Sequence, residues 1–356
     1  MGDVVIIGAG IIGLLSAREL LRRRRSVTVL DAGHDRPPAS WAAGGILSAL
    51  FPWRHPASIT ALERGAASAY RELAEELVSA GQPDPEVEDT GMLVLDTDER
   101  QGALDWAARE GITLEYLADV SAVEPSLQGR DGLWLPDVAT VRSSRLLQGL
   151  YRMLSARRGC SLRRAKVAAL EPVEGGWRVH APGGPFDARQ VVVAAGIWSR
   201  ELLAPLGVEL PMMPVQGEML FWSPGPPVPA ALLLSKQGYV VPRRDGGMLA
   251  GSTLREEVPD QMPTREAGLA LQQMACELWP PLAGAMPQAQ WAGVRPGNRR
   301  ECPFIGEVAR YPGLFLATGH YRSGLACAPG TAGLLGALLC GEQPPVDPRP
   351  YDPDAG

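Results

Sequence analysis

Val4 to Asp31 reads VVIIGAGIIG, then LLSARELLRRRRS, then VTVLD, and this stretch decides the fold. A short apolar run ends in Gly8-Ala9-Gly10-Ile11-Ile12-Gly13. A helical pattern follows, and a second β-rich run closes on an acid. The order is strand, glycine turn, helix, strand, acid. Gly8 suits the tight turn, Gly10 lets backbone approach a pyrophosphate, and Gly13 lets the helix pack on the strand. The helix start offers free N–H groups and a positive dipole end to phosphates. Asp31 stands eighteen residues past Gly13, where a carboxylate accepts hydrogen bonds from ribose hydroxyls. A glycine-rich turn in some other α/β unit leaves Asp31 unexplained.

The rest of the chain fits a large globular α/β protein. Its 356 residues suffice for one large domain or two intertwined ones. Hydrophobic residues at 46% and charged residues at 21% are ordinary globular values. The net charge of −6 argues against a nucleic-acid surface. The run Arg22 to Arg25 is expected to sit in solvent at the C-terminal end of the first helix, favoured by its dipole. Five scattered cysteines without CxxC spacing, and only four histidines, argue against zinc and for a reduced, cytoplasmic setting. The apolar start lacks the basic segment of a signal peptide, and no charge-free stretch reaches membrane-spanning length.

Further along, Trp41 to Ser48 is dense in small residues, as backbone lying against something flat requires. FPWRHP, Phe51 to Pro56, is an aromatic and basic loop. Ser58 to Ala80 reads as strongly helical, with apolar positions near Leu62, Ala66, Ala69, Leu73 and Leu77. Ser161 to Ala169 and Trp177 to His180 read as a hairpin around Glu174-Gly175-Gly176. Gln190 to Ser199 is a continuous apolar run suited to a strand buried on both faces. It ends in Ala194-Ala195-Gly196. From Pro211 short runs between Pro/Gly turns suggest an antiparallel sheet, with Trp291 to Gly297 as a strand leaving it. Leu314 to His320 is again a buried-strand pattern, running into a helix from about Leu325 to Leu339.

Taken together, GAGIIG with Asp31, SWAAGGILSALFPWR, VVVAAGIWS, GYVVPRRDGGMLAGST, WAGVRPG and GHYRSGLACAPGTA resemble the FAD-dependent D-amino-acid oxidase superfamily. Within it the likeness is greatest to the glycine oxidases of thiamine biosynthesis. It covers nearly the whole chain in the expected order. It implies a Rossmann-type α/β FAD-binding domain from residues 1–88, 140–211 and 292–356. An inserted α+β substrate domain on a mostly antiparallel sheet would then take residues 89–139 and 212–291.

The resemblance also implies the chemistry: a hydride passes from Cα of a small amino acid to flavin N5, and water hydrolyses the imine. Glycine leads as substrate and O2 as acceptor, giving a 2-oxo acid, ammonia and H2O2. D-amino acids and N-methyl amino acids such as sarcosine are the alternatives, and a non-catalytic flavoprotein is the rival outside enzymes. Arg295 matches the carboxylate clamp, Tyr239 the substrate-side tyrosine and Arg322 a second arginine near substrate and flavin. Gln237 stands where some members carry histidine. On the cofactor side the match carries over Gly8, Gly10, Ile11, Ile12 and Gly13 at the pyrophosphate turn, and Asp31 and Ala32 at the ribose. Ala39, Ser40, Gly44, Gly45 and Ile46 fall by the isoalloxazine, and Val167 by the adenine. Gly196 closes the second FAD-contact strand. His320, Tyr321, Arg322, Ser323, Gly324 and Leu325 line the pyrimidine edge, with His320 contributing backbone rather than acting as a base. FAD is expected to be non-covalent and the chain to form a homo-oligomer, a tetramer by resemblance.

Overall fold

The structure, a computed structural model, describes residues 2–33 and 38–355, so part of the loop expected after Asp31 lies outside the described residues. Among these residues the strands form an eight-stranded and a nine-stranded sheet. The first has the order Phe304–Glu307, Leu314–Thr318, Phe186–Val193, Gly2–Ile7, Val27–Asp31, Cys160–Arg164. The last five run parallel and the edge strand Phe304–Glu307 antiparallel. Val191, Val192 and Val193 are fully buried, as a strand covered on both faces must be. Gly2–Ile7 has the next strand in the chain on one side and a far later one on the other. In open α/β sheets the crevice beyond the strands' carboxyl ends at such a switch point is where ligands settle.

Two glycines shape that crevice. Gly8 has φ +110°, and a Cβ there would stand 2.4 Å from the Ala194 carbonyl oxygen. A Cβ on Gly13 would stand 1.9 Å from the carbonyl oxygen of Gly8. The first helix, Ile11–Arg22, therefore starts directly over the strand ends. Gly10 gives it no capping side chain, which leaves first-turn N–H groups for a ligand. The closing helix, Gly324–Cys340, packs along the first helix and completes one core with Ile6, Leu14, Leu20 and Leu335.

The second sheet runs Arg255–Glu256, Met212–Trp222, Met248–Gly251, Gly238–Pro242, Leu232–Ser235, Met92–Val94, Gly132–Leu135, Glu115–Leu117. Only the Leu232–Ser235 pairing with Met92–Val94 is parallel, so the mostly antiparallel expectation holds. Ala289–Asn298 pairs with Met212–Trp222 along its length, from Met212 opposite Asn298 to Phe221 opposite Ala289. This strand belongs to the second sheet rather than leaving it, and residue 292 lies within it.

Other local expectations change. The hairpin is Ala169–Val173 with Gly176–His180, whereas Cys160–Arg164 pairs parallel with Val27–Asp31. Strand Val27–Asp31 would otherwise end the sheet, and this pairing closes its edge. The stretch 58–80 is two helices, Ala57–Glu63 and Ala66–Ser79, broken at Gly65 with φ +75°. The arginine run is not all solvated: Arg25 Nη2 donates to Gln190 Oε1 at 2.8 Å, and Arg23 pairs with Glu19 and Glu342. In FPWRHP, Arg54 makes a two-point ion pair with Glu99, and its guanidinium lies 4.1 Å from the centre of the Phe51 ring. No described helix is long and apolar enough to cross a membrane.

Alanine at Gly8 would require both a forbidden φ and the space already held by Ala194. Gly8→Ala is expected to destabilise the protein by more than about 1 kcal/mol, read as a lower denaturation midpoint. An unchanged midpoint would contradict this geometry.

Candidate active site

A cavity of about 710 Å³ lies between the carboxyl ends of the parallel strands and one face of the second sheet. That volume falls in the ~300–1,000 Å³ range of cofactor and ligand sites. At the glycine turn, Ser40 Oγ accepts from the Ile11 N–H at 3.1 Å. Asp31 Oδ2 accepts from the Ala9 N–H at 2.7 Å and Oδ1 from the Gly33 N–H at 2.8 Å. Each carboxylate oxygen keeps further acceptor capacity for hydroxyl groups. An elongated cavity with a helix start, a glycine turn and a ribose-matched acid on its wall fits a dinucleotide.

The other end is built on the second sheet. Strand side chains alternate faces, and the register sets Val215 opposite Arg295, Gly217 opposite Gly293, and Tyr239 opposite Gly251. Gly217, Met219, Tyr239, Gly293 and Arg295 all line the cavity. A Cβ on Gly217 would sit 2.0 Å from Arg295 Nη1, so the bare backbone is the bed on which the guanidinium lies. Arg295 Nη2 donates to Ser252 Oγ at 2.7 Å and Nη1 to the Thr253 carbonyl at 3.3 Å. Among the described residues neither Arg295 nor Arg322 has a carboxylate partner, and both reach the cavity. Burial pulls the Arg295 guanidinium below its ordinary range, and nearby Arg322 adds to this. The buried Tyr239 hydroxyl has the Met219 sulfur, at 3.6 Å, as its partner.

Most of the sequence-derived positions come together here. Gly8, Gly10, Ile11, Ile12, Asp31, Ala32, Ala39, Ser40, Gly44, Gly45, Ile46, Val167 and Gly196 line the cavity, as do Tyr239, Arg295, His320, Tyr321, Arg322, Gly324 and Leu325. Gly13 and Ser323 do not. Gly13 is spent on helix–strand contact, and Ser323 is buried beside Glu63, whose charged form it favours. Gln237 is exposed in the turn before Gly238–Pro242, outside the cavity wall. Burial drives the His320 imidazole down to about 3, and its Nε2 is 2.9 Å from Thr331 Oγ1. A ring that stays neutral and is held by a threonine is not a general base, in line with the backbone role expected for this position.

Sequence reading missed three groups. Arg243 is buried, donating to the carbonyls of Gly44 at 2.8 Å and Val141 at 3.2 Å, and so ties the small-residue loop to the second sheet. Met219 faces the cavity. Glu63, at the end of its helix, turns its carboxylate inward behind the cavity wall, where burial raises it to about 7. In sequence Glu63 reads as a solvated helix residue, because the helix that covers it lies some 260 residues further on.

Comparison with known proteins identifies the family. Residues 3–338 match the family model described as FAD dependent oxidoreductase. A glycine oxidase of Pseudomonas aeruginosa is 40% identical over 98% of both chains. A bifunctional protein ThiO/ThiG of Synechocystis is 33% identical over 95% of this chain and 51% of its own. The crystal structure of glycine oxidase from Geobacillus kaustophilus superposes with a TM-score of 0.93 at 27% identity, covering 99% of this chain and 98% of that one. The chain belongs to the FAD-dependent oxidoreductase family, and it is an enzyme that uses FAD to oxidise amino acids.

Glu63 makes stability depend on pH. Its carboxyl ionises at about 7 when folded, against an ordinary value of 4.5, so in that window the folded chain holds a proton that the unfolded chain releases. This contribution falls as pH rises through the window, by on the order of 1–3 kcal/mol in total. Glu63→Gln is expected to flatten that part of the stability profile in denaturant titrations. Parallel profiles for the two proteins would contradict the burial of this carboxylate.

Proposed function

We propose that the chain oxidatively deaminates a small amino acid, glycine first, with O2 as electron acceptor and H2O2 as co-product, in the thiazole branch of thiamine biosynthesis. The observation that carries the reading is the pair of guanidinium groups, Arg295 and Arg322, which have no carboxylate partner among the described residues, beside a tyrosine hydroxyl whose partner among them is a sulfur. Bound FAD supplies the hydride acceptor. The glycine turn and the start of the first helix are suited to its pyrophosphate, and Asp31 to its ribose.

In this reading Arg295 grips the substrate carboxylate through two parallel hydrogen bonds, and Tyr239 donates a third. Ser252 and Thr253 hold the guanidinium in place, which fixes the direction of the Cα–H bond. Two cations nearby disfavour the substrate ammonium and so promote the neutral amine that hydride loss requires. No side-chain base is then needed, which agrees with the neutral state of His320. Met219 and Tyr239 give the site an apolar wall. The small-residue bed favours a substrate with little or no side chain.

Charged hydrogen bonds contribute about 1.5–3 kcal/mol each, so losing both in Arg295→Met should raise KM for glycine by roughly 100- to 10,000-fold, with peroxide release as readout. Tyr239→Phe should raise it less. A normal KM in Arg295→Met would remove the clamp from this account. Turnover of sarcosine or D-alanine but not glycine would keep the mechanism and change the substrate.

A further inference from the structure

We propose that Glu63 takes up a proton from solvent as the electron pair enters the cavity and returns it when the pair leaves. The inference rests on FAD filling the cavity described above.

Glu63 is joined to both segments that frame the substrate end. The Ala49 N–H donates to its Oε2 at 3.0 Å, and the Cys327 thiol stands 3.9 Å from its Oε1. The Ser323 side chain also favours its charged form. Ser48 and Leu50, on either side of Ala49, line the cavity, as do Arg322 and Gly324 on either side of Ser323. The carboxylate is therefore one residue behind the wall at both contacts, beside the start of the closing helix. The carboxylate is enclosed, but the residue as a whole keeps contact with the surface, the side from which a solvent proton would come.

The groups facing it leave its charge uncompensated. The closing helix presents Cys327, whose thiol burial and Glu63 push well above its ordinary range. Helix Ala66–Ser79 presents Tyr70, whose hydroxyl donates to the Leu325 carbonyl at 2.8 Å. Cys302 and Tyr351 lie beyond Cys327. His55, on the preceding loop, is lowered by burial, and its Nε2 lies 3.1 Å from the Leu50 carbonyl oxygen. No cation is among the groups that set the ionisation of Glu63. What favours its charged form is hydrogen bonding and the positive end of the closing-helix dipole.

That dipole end is shared. Negative charge arriving in the cavity competes with the Glu63 carboxylate for it and raises the carboxylate's proton affinity. By linkage, a protonated Glu63 makes acceptance of the electron pair more favourable. The balance is simple. At the substrate the Cα–H bond breaks and its electron pair would pass with the hydride to bound FAD; at Glu63 one O–H bond forms from a solvent proton. When the acceptor withdraws the pair, that O–H bond breaks.

The test is the midpoint potential of the flavin-loaded protein against pH, for the wild type and Glu63→Gln, with bound flavin quantified in each. Above about pH 7, where Glu63 is mostly ionised before reduction, the wild type should take up more than one proton per electron pair and approach two, giving a steeper slope than Glu63→Gln, which takes up one. A purely structural role would shift both curves without changing their slope. Equal slopes in two flavin-loaded proteins overturn the proposal. If Glu63→Gln holds no flavin, reduced-minus-oxidised infrared spectra of the wild type decide. A protonated-carboxyl band gained on reduction supports the proposal, and its absence overturns it. A wild type that binds no flavin at all overturns the FAD reading first and this proposal with it.

Discussion

The seam between the two sheets is the constraint on which the site depends. A loop of small residues lies flat against the inner face of the second sheet while its other side bounds the cavity. The contact is too close for ordinary side chains: a Cβ on Gly44 would stand 2.8 Å from the Tyr239 hydroxyl oxygen, and one on Gly293 would stand 2.6 Å from the Ala42 Cβ. Arg243 then pins the loop through the Gly44 carbonyl. A buried arginine bonded only to carbonyls is costly, and burial lowers it to about 10. What it secures is the distance between a surface made by one sheet and the groups made by the other. Both walls of the cavity are thus set by one packing decision.

Charge is distributed along the cavity in a matching order. The glycine turn offers backbone N–H groups and a helix start rather than lysine or arginine. The guanidinium groups of Arg295 and Arg322 stand at the far end, where in the proposed function they hold a small carboxylate and disfavour an ammonium. The histidine nearest that end is neutral, and the one carboxylate close behind it, Glu63, has an ionisation displaced into the physiological range. Perturbed groups of this kind concentrate where chemistry happens.

Much of this was legible in the sequence because the relevant constraints are local. Gly8 and Gly13 are read from a strand–turn–helix pattern that spans a dozen residues. Arg295 stands out because Gly293 and Pro296-Gly297 surround it with backbone suited to close packing. What was not legible depends on distant chain. The partner of Cys160–Arg164 is a strand more than a hundred residues earlier, so a nearby hairpin is the natural misreading. Ser323 sits within a cavity-lining run yet stays out of the cavity wall. Arg243 and Glu63 look like surface charges until the elements that bury them are in place.

The measurement that bears most directly on the account is anaerobic mixing of the purified, flavin-loaded protein with glycine, sarcosine, D-alanine and D-proline, following the flavin's visible absorbance. The account predicts fast bleaching by glycine, reversed by air with release of H2O2. No bleaching by any of these amines, with flavin bound and Arg295 intact, would contradict it.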